Sequence, residues 1–225
     1  MLTRLADALA DADFPNYRLE KEREALALRE AVAAANPDSP LAQRGVVTSK
    51  RRVAEALTAR RDFKDAAKHY ADAEAILGRF PGSTVLAAEA KAVAEGVEVL
   101  AGVRAAAANR ESVKSLPPPV RARVAAQLAD DFTRQDYSVE ATWAATILAE
   151  TARGPDDLYR AAVVFARAAS PKGAPAAYSD RAVELLARAV GRGFNNPDLL
   201  RARWWDAVRM REAFKAVEAR LSAGK

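Results

Sequence analysis

A short pattern recurs along this chain: an apolar residue, then alanine, then a large apolar residue three positions on. It occurs at Leu5-Ala6 with Leu9, Val53-Ala54 with Leu57, Leu128-Ala129 with Phe132, and Ala161-Ala162 with Phe165. On a helix these positions share one face, and the small residue lets a neighbouring backbone approach closely. The spacing between occurrences is regular. A shift of 48 residues carries Leu5, Ala6, Leu9 and Ala25 onto Val53, Ala54, Leu57 and Ala73, and a shift of 75 carries Val53, Ala54, Leu57 and Ala66 onto Leu128, Ala129, Phe132 and Ala141. Such registers predict stacked two-helix units.

Apolar residues recur at helical spacing throughout, whereas strand-like alternation of β-branched residues is nearly absent. Breaks fall where proline, glycine or Asp/Asn interrupts the pattern: Phe14-Pro15, Asn36-Pro37, Arg61-Asp62, Phe80-Pro81-Gly82, Leu116 to Pro119, Gln135-Asp136, Gly154-Pro155, Ser170 to Pro175, and Asn195 to Pro197. Proline removes a helical donor and disfavours helical geometry in the residue before it. The breaks predict helices over 2–11, 17–35, 41–59 and 64–77, with 85–109 forming one long alanine-rich helix or two. Leu116-Pro117-Pro118-Pro119 reads as a stiff spacer or a helix start and divides the chain into 1–115 and 116–225, with one continuous solenoid as the alternative.

Alanine is about a quarter of the 225 residues, which favours helix nearly everywhere and makes the core thin and closely packed. There is no cysteine, so disulfides, thiolate metal sites and cysteine nucleophiles are excluded. The first residues mix charge with apolar side chains, unlike a signal peptide, and no stretch is long and apolar enough to span a bilayer. The expectation is a soluble, cytoplasmic protein without a membrane segment.

The second predicted pair reads Lys50-x-x-Val53-Ala54-x-x-Leu57, Asp62-Phe63, then Ala66-x-x-x-Tyr70 and Ala73. This resembles the tetratricopeptide repeat (TPR), with Lys50 where an aromatic is common, Ala54 for glycine, and Pro81 a few residues late. A second copy runs through Leu128-Ala129-x-x-Phe132, Asp136-Tyr137 and Ala141. A looser one joins Ala161-Ala162-x-x-Phe165 to Ala182-x-x-x-Leu186 and Ala189 across an insertion near Ser170 to Gly173. The resemblance implies an all-α solenoid of antiparallel helix pairs, a right-handed superhelix with irregular repeats and a C-terminal capping helix.

The stretches Leu158 to Ala162, Tyr178 to Leu186, Ala189 to Phe194 and Arg211 to Phe214 resemble the end of the repeat tail of bacterial transmembrane serine/threonine protein kinases. Trp204-Trp205-Asp206-Ala207-Val208-Arg209 occupies the place of that tail's closing motif in altered form. Kinase catalysis needs a glycine-rich loop, a His-Arg-Asp segment and an Asp-Phe-Gly triplet, and this chain has none of them. The alternative to a free-standing repeat protein is therefore a kinase tail without its catalytic domain, which would place it outside the cytoplasm.

No residue set points to catalysis. His69 is the only histidine, so no histidine cluster can form, and the pairs Asp130-Asp131 and Asp156-Asp157 are sequence neighbours that point in different directions on a helix. Trp143, Trp204 and Trp205 read as core or as a seal at the end of the stack, with ligand stacking as the rival reading. No cofactor or metal is implied. By the TPR resemblance, first helices line a peptide-binding groove, and the register places Arg51, Arg52, Glu55 and Thr58 there from one unit and Arg123, Gln127 and Asp130 from the other. The arginines could grip carboxylates, while Glu55 and Asp130 argue for a mixed-charge surface. The expected role is a non-enzymatic scaffold for a protein or peptide partner. The net charge of +5 also admits nucleic-acid binding, but the arginines alternate with acids along the same helices rather than gathering on one arm.

Overall fold

The computed structural model describes residues 15–134, 136–171 and 173–223. The expected helix over 2–11, with Leu5, Ala6 and Leu9, lies outside them. Among the described residues there are helices and 3-10 turns and no strand. The chain divides into two compact units, Met1–Arg110 and Glu111–Lys225.

In the first unit α1 (Pro15–Ala35), α2 (Pro40–Ala59), α3 (Phe63–Gly78) and α4 (Ala87–Ala108) follow one another. Each packs on the next, and α2 also touches α4. Local chemistry sets the boundaries. The Ser39 hydroxyl accepts the Ala42 amide at 3.3 Å ahead of Pro40 in the first turn, and the Asp62 carboxylate accepts the Asp65 amide at 3.4 Å. The core gathers Leu19, Leu26, Val46, Val47, Val53, Leu57, Tyr70 and Val93 around Ala54, Ala66 and Ala73. The 85–109 stretch is a single helix over Ala87–Ala108. Gly96 does not break it, because its missing side chain makes room for the Tyr70 ring.

The second unit repeats the plan. After a 3-10 turn at Arg110–Ser115 come α5 (Pro118–Arg134), α6 (Ser138–Thr151), α7 (Pro155–Ala168) and α8 (Ala176–Gly191). Consecutive helices pack on one another, and α5 also touches α7. The prolines at 117–119 act as a helix start, with α5 beginning at Pro118.

The 75-residue register extends to individual hydrogen bonds. Arg61 and Asp136 are 75 apart and, among the described residues, are the non-glycine positions with left-handed backbone, at φ 61° and 57°. After Arg61, the Asp62 amide reaches back to the Leu57 carbonyl at 3.0 Å; after Asp136, the Tyr137 amide reaches the Phe132 carbonyl at 3.0 Å. Both are six-to-one closures that end a helix and turn the chain into the next. Thr58 and Thr133 also match, donating to the carbonyls of Ala54 at 2.8 Å and Ala129 at 2.6 Å. The register alanines Ala54, Ala66, Ala73, Ala129, Ala141, Ala182 and Ala189 are buried, whereas Ala25 is half-buried. One sequence rule thus builds the same helix–turn–helix twice.

The second unit closes on an aromatic seal. Phe194 follows a left-handed Gly193 and stacks on Tyr159 of α7 at 4.4 Å. Two 3-10 segments, Pro197–Arg201 and Arg203–Trp205, lead to α9 (Glu212–Ala223). The Arg203–Trp205 segment rests on α7, while α9 rests on α8 and on Pro197–Arg201. Trp205 is fully buried, donates its indole N–H to the Leu199 carbonyl at 3.1 Å, and lies 5.6 Å from the Phe214 ring. This stretch takes up the packing role of a further helix pair, with short turns in place of its first helix.

Candidate interaction surface

The residues expected to face a partner are held in a network of ion pairs. On α2, the Arg51 guanidinium pairs with Glu55 one turn on, and Arg52 lies 3.8 Å from Glu22 of α1. Thr58 does not line the surface: it is buried, and its hydroxyl is spent on the Ala54 carbonyl. On α5, the Gln127 amide donates to Asp131 at 2.9 Å, and Asp130 accepts from Arg160 of α7 at 2.6 Å. Arg123 is exposed and also partnered. The structure therefore brings Arg51 together with Glu55 and leaves Arg52 and Arg123 on the exposed side.

Each unit carries an ion pair across the helices that alternate in the chain. Arg44 of α2 meets Glu89 of α4 at 3.4 Å, and Asp130 of α5 meets Arg160 of α7 at 2.6 Å. Half-exposed pairs of this kind contribute about 0–1 kcal/mol, so they define the charge pattern of the face more than its stability. Because Arg44, Arg51, Arg52 and Arg160 each have an anion beside them, these positions offer alternating charge rather than a block of free arginines. The clusters near the C-terminus behave alike: Arg201 pairs with Asp198, Arg209 with Asp206, and Arg211 with Asp180.

Lys50, which departs from the aromatic of the repeat pattern, joins three helices. Its ammonium is 3.2 Å from Glu30 of α1 and 3.2 Å from Asp72 of α3, with the side chain 13% exposed. His69 lies nearby, held below its ordinary pKa by burial and then by the positive charge of Lys50. The Tyr70 hydroxyl is pushed well above its ordinary range, first by burial and then by Glu55. The partners of Arg160 and Lys50 lie on other helices, so the spacing of the sequence does not reveal these pairs.

Among the described residues, no group of three His, Cys, Asp or Glu side chains could hold a metal ion, and no helix is long and apolar enough to cross a membrane. No family model, no curated protein and no solved structure matches the chain.

Proposed function

We propose that the chain is a non-enzymatic, cytoplasmic TPR-like scaffold that binds a peptide or protein segment along the face of its first helices. In this reading α2 with α4 lines a wall in the first unit, and α5 with α7 lines the corresponding wall in the second. The observation that carries it is the alternation of contacts, in which α2 reaches α4 and α5 reaches α7 beyond their sequence neighbours. A peptide on either wall meets both signs, from Arg44 and Glu89 in the first unit or from Asp130 and Arg160 in the second, so a segment of mixed charge suits it better than a run of carboxylates.

A peptide-display screen followed by calorimetry tests the reading. For a selected peptide, Arg52→Glu or Arg123→Glu is expected to weaken binding tenfold or more, and Thr58→Ser to leave it unchanged. Retained affinity in both charge reversals removes this face from the site.

The kinase-tail alternative has support in the placement of Tyr159, Phe194 and Phe214, which belong to the stretches carrying that resemblance and join the aromatic seal. An in-frame catalytic domain in the neighbouring coding sequence would establish it. A neighbouring sequence without one would leave the scaffold reading.

A further inference from the structure

Polar side chains gather where α2, α3 and α4 meet, and the repeat plan does not require two of them. Arg51 and Glu55 pair one turn apart on α2, and the Tyr70 hydroxyl of α3 lies within the electrostatic reach of both. The 75-residue register supplies the comparison. It carries Arg51 onto Ala126 and Tyr70 onto Ala145, which are 6% and 0% exposed in the second unit, while Glu55 falls on Asp130. The same helix pair is built there without the guanidinium or the phenol.

Folding leaves both donors short of an acceptor. The Arg51 guanidinium gives a terminal nitrogen to Glu55, but its Nε is buried and has no hydrogen-bond partner. Tyr70 is 3% exposed, and its hydroxyl makes no hydrogen bond among the described residues. A buried donor without an acceptor is costly, so a group that accepts here recovers what folding gave up. Gly96 of α4 lets the phenol lie in this place, since a β-carbon there would be 2.5 Å from the hydroxyl oxygen. Burial, and then the Glu55 carboxylate, keep the hydroxyl protonated, so it serves as a donor across the ordinary pH range. The Arg51 side chain is 21% exposed and that of Glu55 36%, so the pair opens to solvent.

We propose that Arg51, Glu55 and Tyr70 form a subsite for a carboxamide, the side chain of an asparagine or glutamine in the bound segment, an inference that rests on the scaffold reading and deepens it. A carboxamide carries an acceptor and two donors in one plane. Its oxygen takes the protons of Arg51 Nε and the Tyr70 hydroxyl, and its NH2 group donates to the Glu55 carboxylate. Nε reaches the oxygen as the guanidinium, held at one terminal nitrogen, turns about that contact. The ion pair is neutral as a whole, so a carboxylate is repelled by Glu55 and an ammonium by Arg51, while the amide meets neither penalty.

Titration of N-acetylglutamine N-methylamide into the full chain, followed by the amide shifts of Glu55, Tyr70 and Gly96, tests the subsite without a selected peptide. Saturable binding is expected, weakened tenfold or more when the probe is the matching glutamate or norleucine derivative, which share its main-chain amides. Tyr70→Phe removes the hydroxyl, leaves the ring on Gly96, and should weaken glutamine binding to the same extent. Its urea midpoint should be no lower than that of the wild-type chain, because the hydroxyl has no partner to lose, so lost binding is not lost fold. Equal binding of the three probes, no saturable shift up to the solubility limit, or binding indifferent to Tyr70→Phe overturns the proposal. Glutamine binding that depends on Tyr70, with every selected peptide untouched by Arg52→Glu and Arg123→Glu, would keep the subsite and remove the wider face.

Discussion

Replacing Gly96 with alanine sets two effects of known sign against each other. In a helix interior, alanine is favoured over glycine by about 1 kcal/mol, so at an indifferent site the substitution would stabilise α4. At this site a β-carbon would lie 2.5 Å from the Tyr70 hydroxyl oxygen, 2.6 Å from Cε1 and 2.7 Å from Cζ. Three ring atoms must move, and Tyr70 is only 3% exposed, so the ring has no open space to swing into. Overpacking of a filled core costs about 1–3 kcal/mol, and displacement of a whole ring belongs in the upper part of that range. The net expectation is a loss of about 1–2 kcal/mol. Gly45→Ala is the internal control, since its β-carbon would meet only the flexible Arg29 side chain, no closer than 3.4 Å. That variant should gain up to about 1 kcal/mol. Urea titrations followed by circular dichroism, with hydrogen exchange of α4 amides to localise the change, would measure both. In a Tyr70→Leu background, Gly96→Ala should recover its stabilising sign. If Gly96→Ala stabilises the wild-type chain as Gly45→Ala does, or carries the same sign in both backgrounds, the ring-on-glycine contact does not control this helix pair.

Two further predictions rest on backbone geometry and on charge. Arg61→Gly and Asp136→Gly should each stabilise the chain by about 0.5–1 kcal/mol, because a left-handed backbone disfavours any β-carbon; Arg61→Ala should not, and equal stability of the Ala and Gly variants would refute the argument. His69 has a folded-state pKa below its ordinary 6.5, so the unfolded chain takes up the proton first. Stability should therefore fall as pH drops from above 6.5 to the folded value and become flat, from this residue, below it. His69→Gln should remove that slope from pH-dependent unfolding, and an unchanged slope would show that another group is responsible.

The repeat plan was legible because alanine and proline act locally. Ala54, Ala66, Ala129 and Ala141 mark close helix contacts by being small, and Pro40, Pro118 and Pro155 fix first turns through their own ring geometry. Both properties belong to the residue rather than to its surroundings. The candidate surface was less legible, because a charged residue's role depends on its neighbour in space. Arg51, read as a grip for a partner, is taken up by Glu55; Asp130 is taken up by Arg160, thirty residues away; and Thr58, polar by composition, spends its hydroxyl within its own helix. Lys50 shows the converse: it departs from the aromatic of the repeat pattern, yet its side chain is largely buried while its ammonium reaches Glu30 and Asp72.

The same reasoning explains why the end of the second unit escaped a helix-by-helix reading. Residues 194–211 contain Pro197, two asparagines and a tandem tryptophan, which do not sustain a long helix, so no apolar periodicity announces a further pair. What closes the unit is side-chain volume. Phe194 stacks on Tyr159, Trp205 fills the space beside it, and Phe214 of α9 completes the contact, with Trp205 and Phe214 fully buried. A terminal repeat must bury the apolar face of its predecessor without offering a new one to solvent. Large rings on short turns meet that demand where another alanine-marked helix would expose a fresh apolar stripe.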